Sequence, residues 1–230
     1  MINAETLKYA VDLIAVLLLA LGIKGLSKVR TAREANRLAA IAVGLAAVGV
    51  LVDALGDSGI SANAWIWITL SSLIGGLLGT IIAHRVPMTS MPETVALFNG
   101  CGGMSSLLVA IGVVLFLGQT DVSVMNMDFV GNLSIVVSVF VGAITFSGSI
   151  VAMAKLQGWL STPAWTQSKL RHAINIAFSI MSLVGVIGIL MGGSNGLWLL
   201  VIGSSLLGIG VTLPIGGADM PVVISLLNSY

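Results

Sequence analysis

Gly216 to Tyr230 reads GGADMPVVISLLNSY, and this stretch has the form of the opening of a membrane helix. The Asp219 carboxylate is placed to accept bonds from the first free backbone N–H groups, as an N-cap does. Pro221 falls in the first turn, where its missing N–H costs nothing. Asn228 follows Pro221 by seven residues and shares nearly the same helix face. At 1.5 Å per residue, Asn228 is roughly 13 Å from the cap, near the middle of a ~30 Å hydrocarbon layer. An amide at that depth is costly unless bonded, which makes it a functional candidate.

Ser90-Met91-Pro92-Glu93 repeats the device, with Ser90 and Glu93 at capping-box spacing and Asn99 seven residues after Pro92. Both stretches read Met-Pro, six residues, Asn, at an offset of 129. Two helices therefore enter the bilayer from the same side, each with one amide at about the same depth.

The chain has 230 residues, 57% hydrophobic and 8% charged. A soluble domain carries about 25% charged residues, so this composition points to an all-α integral membrane protein. Its 28 glycines suit closely packed transmembrane helices. The net charge of +1 gives no sign of a nucleic-acid partner. The single cysteine, Cys101, excludes an internal disulfide and reads as a small packing residue. Apolar runs at 8–26, 37–55, 64–84, 92–118, 130–154, 172–192 and 197–214, then from 220 onward, predict a polytopic helical bundle. That is about seven full transmembrane helices and a truncated eighth, since Pro221 to Tyr230 gives only roughly 15 Å of helix.

Basic residues set the orientation. Lys24, Lys28, Arg30, Arg33, Arg37, Arg85, Lys155, Lys169 and Arg171 fall on one side, with Lys8 alone on the other. Asp53, Asp57, Asp121 and Asp128 mark that opposite side. The basic side is the cytoplasm (or the mitochondrial matrix), and the N-terminus is outside. A second echo pairs WIWITLSSLIG at 65–75 with WLLVIGSSLLG at 198–208, at an offset of 133. A parallel internal repeat accounts for it, and so does chance recurrence of apolar sequence.

Gly142, Gly148 and Ser149 lie in GAITFSGSIVA at 142–152. The two glycines read as helix-packing positions. Thr145, Ser147 and Ser149 are placed to bond across helices or back to the preceding turn, and Ser149 is the candidate for a polar path. His84 and His172 sit beside Arg85 and Arg171 as interface anchors, with no second ligand at metal spacing. No metal site, nucleophilic triad or phosphate-binding glycine loop is apparent. What remains is a sparse polar line of Asn99, Asn228 and Ser149, with Asp219 at the inner mouth. Such a line suits a proton, which needs only amides, hydroxyls and waters.

Three stretches carry a family likeness: MPETVALFNGCGG, GAITFSGSIVA with KLQG, and PIGGADMPVVISLLNSY. They resemble the membrane part of the beta subunit of proton-translocating NAD(P) transhydrogenase, over essentially the whole chain. The resemblance implies an enzyme that moves hydride between NAD(H) and NADP(H), coupled to proton movement. It implies partners as well: alpha-subunit membrane helices, an NAD(H)-binding domain, an NADP(H)-binding domain and a second copy in a dimer. The family's mid-membrane polar position falls on Asn99, where some members have His, so a titrating imidazole is missing here. The family asparagine of LNSY falls on Asn228, the aspartate of GGADMP on Asp219, and the serine after TFxG on Ser149. The family continues beyond LNSY through further helix and the NADP(H) domain. The expectation is therefore a fragment: residues 1–230 form a transmembrane proton-translocating domain that binds no cofactor itself and is not catalytic alone. Its expected location is the bacterial cytoplasmic (inner) membrane, ahead of the mitochondrial inner membrane. A secondary transporter of a small solute is the alternative, and a passive scaffold subunit a third.

Overall fold

The computed structural model describes residues 4–26, 30–56, 61–117, 129–191 and 194–229. Side chains are described within these except at 4–8, 26, 53–56, 117, 167, 194, 225, 226, 228 and 229. The described residues form eight helices and three short 3-10 turns, with no strand among them. Lys8, Lys28, Asp53, Asp57, Asp121 and Asp128, used above for sidedness, lie outside the described residues or side chains.

The helices are α1 (Ala4–Leu26), α2 (Ala32–Gly56), α3 (Ala62–Arg85), α4 (Met91–Leu117), α5 (Phe129–Leu156), α6 (Leu170–Leu190), α7 (Ser194–Thr212) and α8 (Met220–Ser229). Each apolar run coincides with one of them, passing its end by no more than about two residues over the described part. Several helices extend a turn beyond the run into polar residues: α2 begins at Ala32, taking in Arg33 and Glu34. A helix costs nothing extra outside the hydrocarbon layer, where water satisfies its ends. Six of the described helices, α2 to α7, are long and apolar enough to cross a membrane. The protein is a multi-pass helical membrane protein.

The chain divides into two compact units, Met1–Ala83 and His84–Tyr230. In the first, α1 and α2 pack along a seam of small residues, with Ala15, Ala35 and Ala42 buried. Gly25 has room only for hydrogen there, since an added Cβ would lie 2.7 Å from that of Ala35. Asp12 lies in the same seam, its Oδ1 3.3 Å from where a Cβ on Gly49 would stand. No residue of α3 is buried.

In the second unit α5 is the central helix, touching α4, α7 and α8. Burial here runs against the pattern of a soluble protein. Leu108, Leu183, Trp198 and many other large apolar residues face outward, while Thr145, Ser147, Ser149, Ser182, Ser204 and Thr212 are buried. Lipid rewards that arrangement, because small residues let helices approach and buried hydroxyls find partners. Two apolar clusters hold the unit together. One joins Leu107, Ala110 and Val114 of α4 to Ile135, Val139 and Ala143 of α5, Ile189 of α6, and Leu197 and Leu200 of α7. The other joins Ala96 of α4, Ala152 of α5, and Met220 and Ile224 of α8. The start of α4, the end of α5 and the start of α8 therefore converge at one end.

Candidate functional site

Between the two clusters α4 and α5 cross at two glycines. A Cβ on Gly142 would stand 2.8 Å from the Gly103 carbonyl oxygen and 2.9 Å from the Leu107 nitrogen. A Cβ on Gly103 would stand 2.9 Å from the Gly142 oxygen. These are backbone atoms that cannot swing aside, so the close approach depends on glycine at both positions.

That approach brings Asn99 and Ser149 together. Asn99 Nδ2 donates to Ser149 Oγ at 2.9 Å. Ser149 is fully buried, and Asn99 is half-buried. Gly100 opens the space beside them, since a Cβ there would be 3.2 Å from that of Ser149. Ser147 instead bonds back along its own helix, donating to the Ala143 carbonyl at 2.9 Å. Asn99 also lines a groove of about 500 Å³ with Val95, Phe98, Gly102 and Gly103. One edge of the amide pair is thus packed between helices, while the other borders this open, largely apolar groove.

Asn228 falls in α8, its side chain outside the described ones, but the register of its helix is defined. Ile224 packs with Ala96 and Ala152. One turn further along each helix come Asn228, Asn99 or Gly100, and Ser149 or Gly148. Leu227 Cδ1 lies 3.3 Å from where a Cβ on Gly148 would stand, and Thr212 Oγ1 lies 2.9 Å from it. The backbone of α8 at residues 227–228 is therefore level with the Asn99–Ser149 bond.

The two Met-Pro helices begin alike, but not by side-chain capping. A 3-10 turn over Met88–Ser90 precedes α4, and another over Gly217–Asp219 precedes α8. Pro87 and Gly216 hold the preceding position with nearly the same dihedrals, φ −70°, ψ 155° and φ −66°, ψ 152°. The Met91 N–H donates to the Met88 carbonyl, and the Met220 N–H to that of Gly217. Ser90 N–H donates to Pro87 at 3.0 Å, and Asp219 N–H to Gly216 at 3.1 Å. The capping roles expected for Ser90, Glu93 and Asp219 are corrected accordingly: the turns put Pro87 and Gly216 at the cap positions, three residues earlier, and the Ser90 N–H expected to meet Glu93 bonds to the Pro87 carbonyl. Asp219 is exposed. Glu93 keeps a buried Oε2 with no partner among the described residues.

Other expectations resolve more simply. Cys101 is exposed, not packed, because it falls on the α4 face turned away from Gly103 and Leu107. His172 accepts from Arg171 Nε at 3.2 Å on the surface, and His84 is exposed. Lys155 was read only as a loop charge. Here it is 6% exposed, with Nζ donating to Thr162 Oγ1 at 2.9 Å, to the Ile215 carbonyl at 2.6 Å and to the Leu213 carbonyl. No sequence signal separates such a lysine from an ordinary one at a helix end.

Comparison with known proteins adds the family context. A family model described as NAD(P) transhydrogenase beta subunit matches residues 8–230. Two curated proteins from Rhodospirillum rubrum, both named NAD(P) transhydrogenase subunit beta, are each 36% identical over 227 residues. The match covers 98% of this chain and 48% of each relative, so the chain spans about half the length of the curated relatives it matches.

Proposed function

Because the chain belongs to the NAD(P) transhydrogenase beta-subunit family, we propose that it forms the proton-conducting membrane part of a transhydrogenase. In the complete enzyme, soluble domains transfer hydride between NAD(H) and NADP(H), and this domain couples that transfer to proton movement. The proposal treats residues 1–230 as one such transmembrane domain, with alpha-subunit membrane helices, the two nucleotide-binding domains and a second enzyme copy as partners. It places the chain in the bacterial cytoplasmic membrane with its N-terminus outside.

One observation carries the reading: the 2.9 Å bond between Asn99 and Ser149, buried on one side and open to the groove on the other. An amide held by a neighbouring hydroxyl is fixed in orientation, so its remaining polar atoms present a constant surface to water. In the proposed path a proton passes along waters held by Asn99 and Asn228 at one level. None of these three residues ionises in the physiological range, so they relay rather than store the proton. Its arrival at the end where α4 and α8 begin changes the charge near Asp219. That change biases how the NADP(H)-binding domain docks on the inner face.

Replacing Asn228 with leucine in the complete enzyme tests this. Hydride transfer should separate from proton movement, with pumping in inverted vesicles lost. Undiminished pumping by Asn228→Leu would refute the path. No finding favours the secondary-transporter alternative.

A further inference from the structure

The path just described leaves one buried cation unused. The ammonium of Lys155 has three N–H donors, and three acceptors take them: Thr162 Oγ1, the Leu213 carbonyl and the Ile215 carbonyl. Thr162 belongs to the chain leaving α5. Leu213 and Ile215 belong to the link between α7 and the turn before α8. All three acceptors are neutral, and among the described residues no carboxylate is paired with this lysine. Full hydrogen bonding is what makes such a buried charge tolerable.

The two carbonyls are also the natural ones for a cation to take. They lie just past Thr212, where α7 ends and the chain can no longer give its carbonyls helical partners. The negative end of the helix dipole points there, which favours a positive charge. Two residues beyond Ile215 the 3-10 turn Gly217–Asp219 begins. Gly217 rests against the same anchor, since a Cβ on it would be 3.7 Å from the Lys155 carbonyl oxygen.

We propose that Lys155 is a positioning residue that clamps the α7–α8 link and so fixes the turn carrying Asp219. A lysine that merely filled space would be replaced by methionine without consequence. A clamp would not, because methionine keeps an unbranched stem but offers no donor. The functional consequence, a looser Asp219 and weaker coupling, rests on the function proposed above; the clamp itself does not.

Pulsed electron-spin distance measurement on the complete enzyme in lipid nanodiscs separates the cases. With Cys101→Ser as background, nitroxides at Met88→Cys and Ala218→Cys report the turn against the start of α4. Nitroxides at Val109→Cys and Val130→Cys, both on exposed positions, report the α4–α5 pair. Lys155→Met should abolish the single narrow 88–218 distance and leave the 109–130 distance narrow. Two narrow distances would overturn the clamp. If both broaden, the bundle itself has loosened, and Thr162→Val decides instead by removing one acceptor only. That variant should broaden 88–218 alone, and an unchanged peak overturns the clamp. If the turn loosens in Lys155→Met while proton pumping stays coupled to hydride transfer, the clamp stands and the role proposed for Asp219 falls.

Discussion

The bond between Asn99 and Ser149 makes a quantitative prediction. Asn99→Ala and Ser149→Ala each remove one partner of a single 2.9 Å contact. Side-chain hydrogen bonds between membrane helices average about 0.6 kcal/mol in double-mutant cycles, with a maximum of about 1.7. This pair is fully buried at Ser149 and half-buried at Asn99, so it falls within the range of such interhelical bonds. The expected coupling energy is therefore about 0.6–1.7 kcal/mol, a factor of about 3 to 18 in the equilibrium constant. Reversible unfolding of the chain in mixed micelles, driven by sodium dodecyl sulfate and followed by tryptophan fluorescence, reads it from four proteins. The double variant should be less destabilised than the sum of the singles by that amount. Effects that add to within about 0.3 kcal/mol would mean that the two residues do not interact, and the polar relay would lose its anchor.

Four further outcomes follow from the packing and the backbone, each read by the same unfolding assay. Gly142→Ala should destabilise by about 1–3 kcal/mol, because the new methyl meets the α4 backbone at Gly103 and Leu107. Gly102→Ala, next to Gly103 on α4 but with nothing within 4 Å, should be neutral or stabilising, so equal losses at both sites would contradict the crossing. Gly158→Ala should cost about 1–2 kcal/mol through backbone strain alone, since Gly158 has φ +74° and open space around it. Ser204→Ala should cost under about 1 kcal/mol: its 3.4 Å contact with Ser182 is long, and Ser182 keeps its bond to Phe178.

The helix order was legible because apolar runs near twenty residues, broken by charged loops, permit little else in a membrane. Asn99 and Ser149 were each legible as polar residues at depth. Their pairing was not, since it joins residues fifty positions apart and depends on α4 and α5 approaching through Gly103 and Gly142. Ser90 and Asp219 misled for a physical reason. Short polar residues before a Met-Pro helix start suit a side-chain cap and a 3-10 turn equally well. Lys155 was hidden because the same residue type at the same kind of position ordinarily faces water or lipid headgroups.

The two matching 3-10 turns make the starts of α4 and α8 interchangeable parts. Each nucleates its helix from main-chain bonds, so neither needs the particular side chain it displays. Grafting Pro87–Met91 in place of Gly216–Met220 should preserve helical content by circular dichroism, while exchanging the carboxylate of Asp219 for the hydroxyl of a serine. Charge at this end of the bundle is thereby modular: chain geometry and electrostatics can vary there independently, and an altered carboxylate can be read for its electrical effect alone.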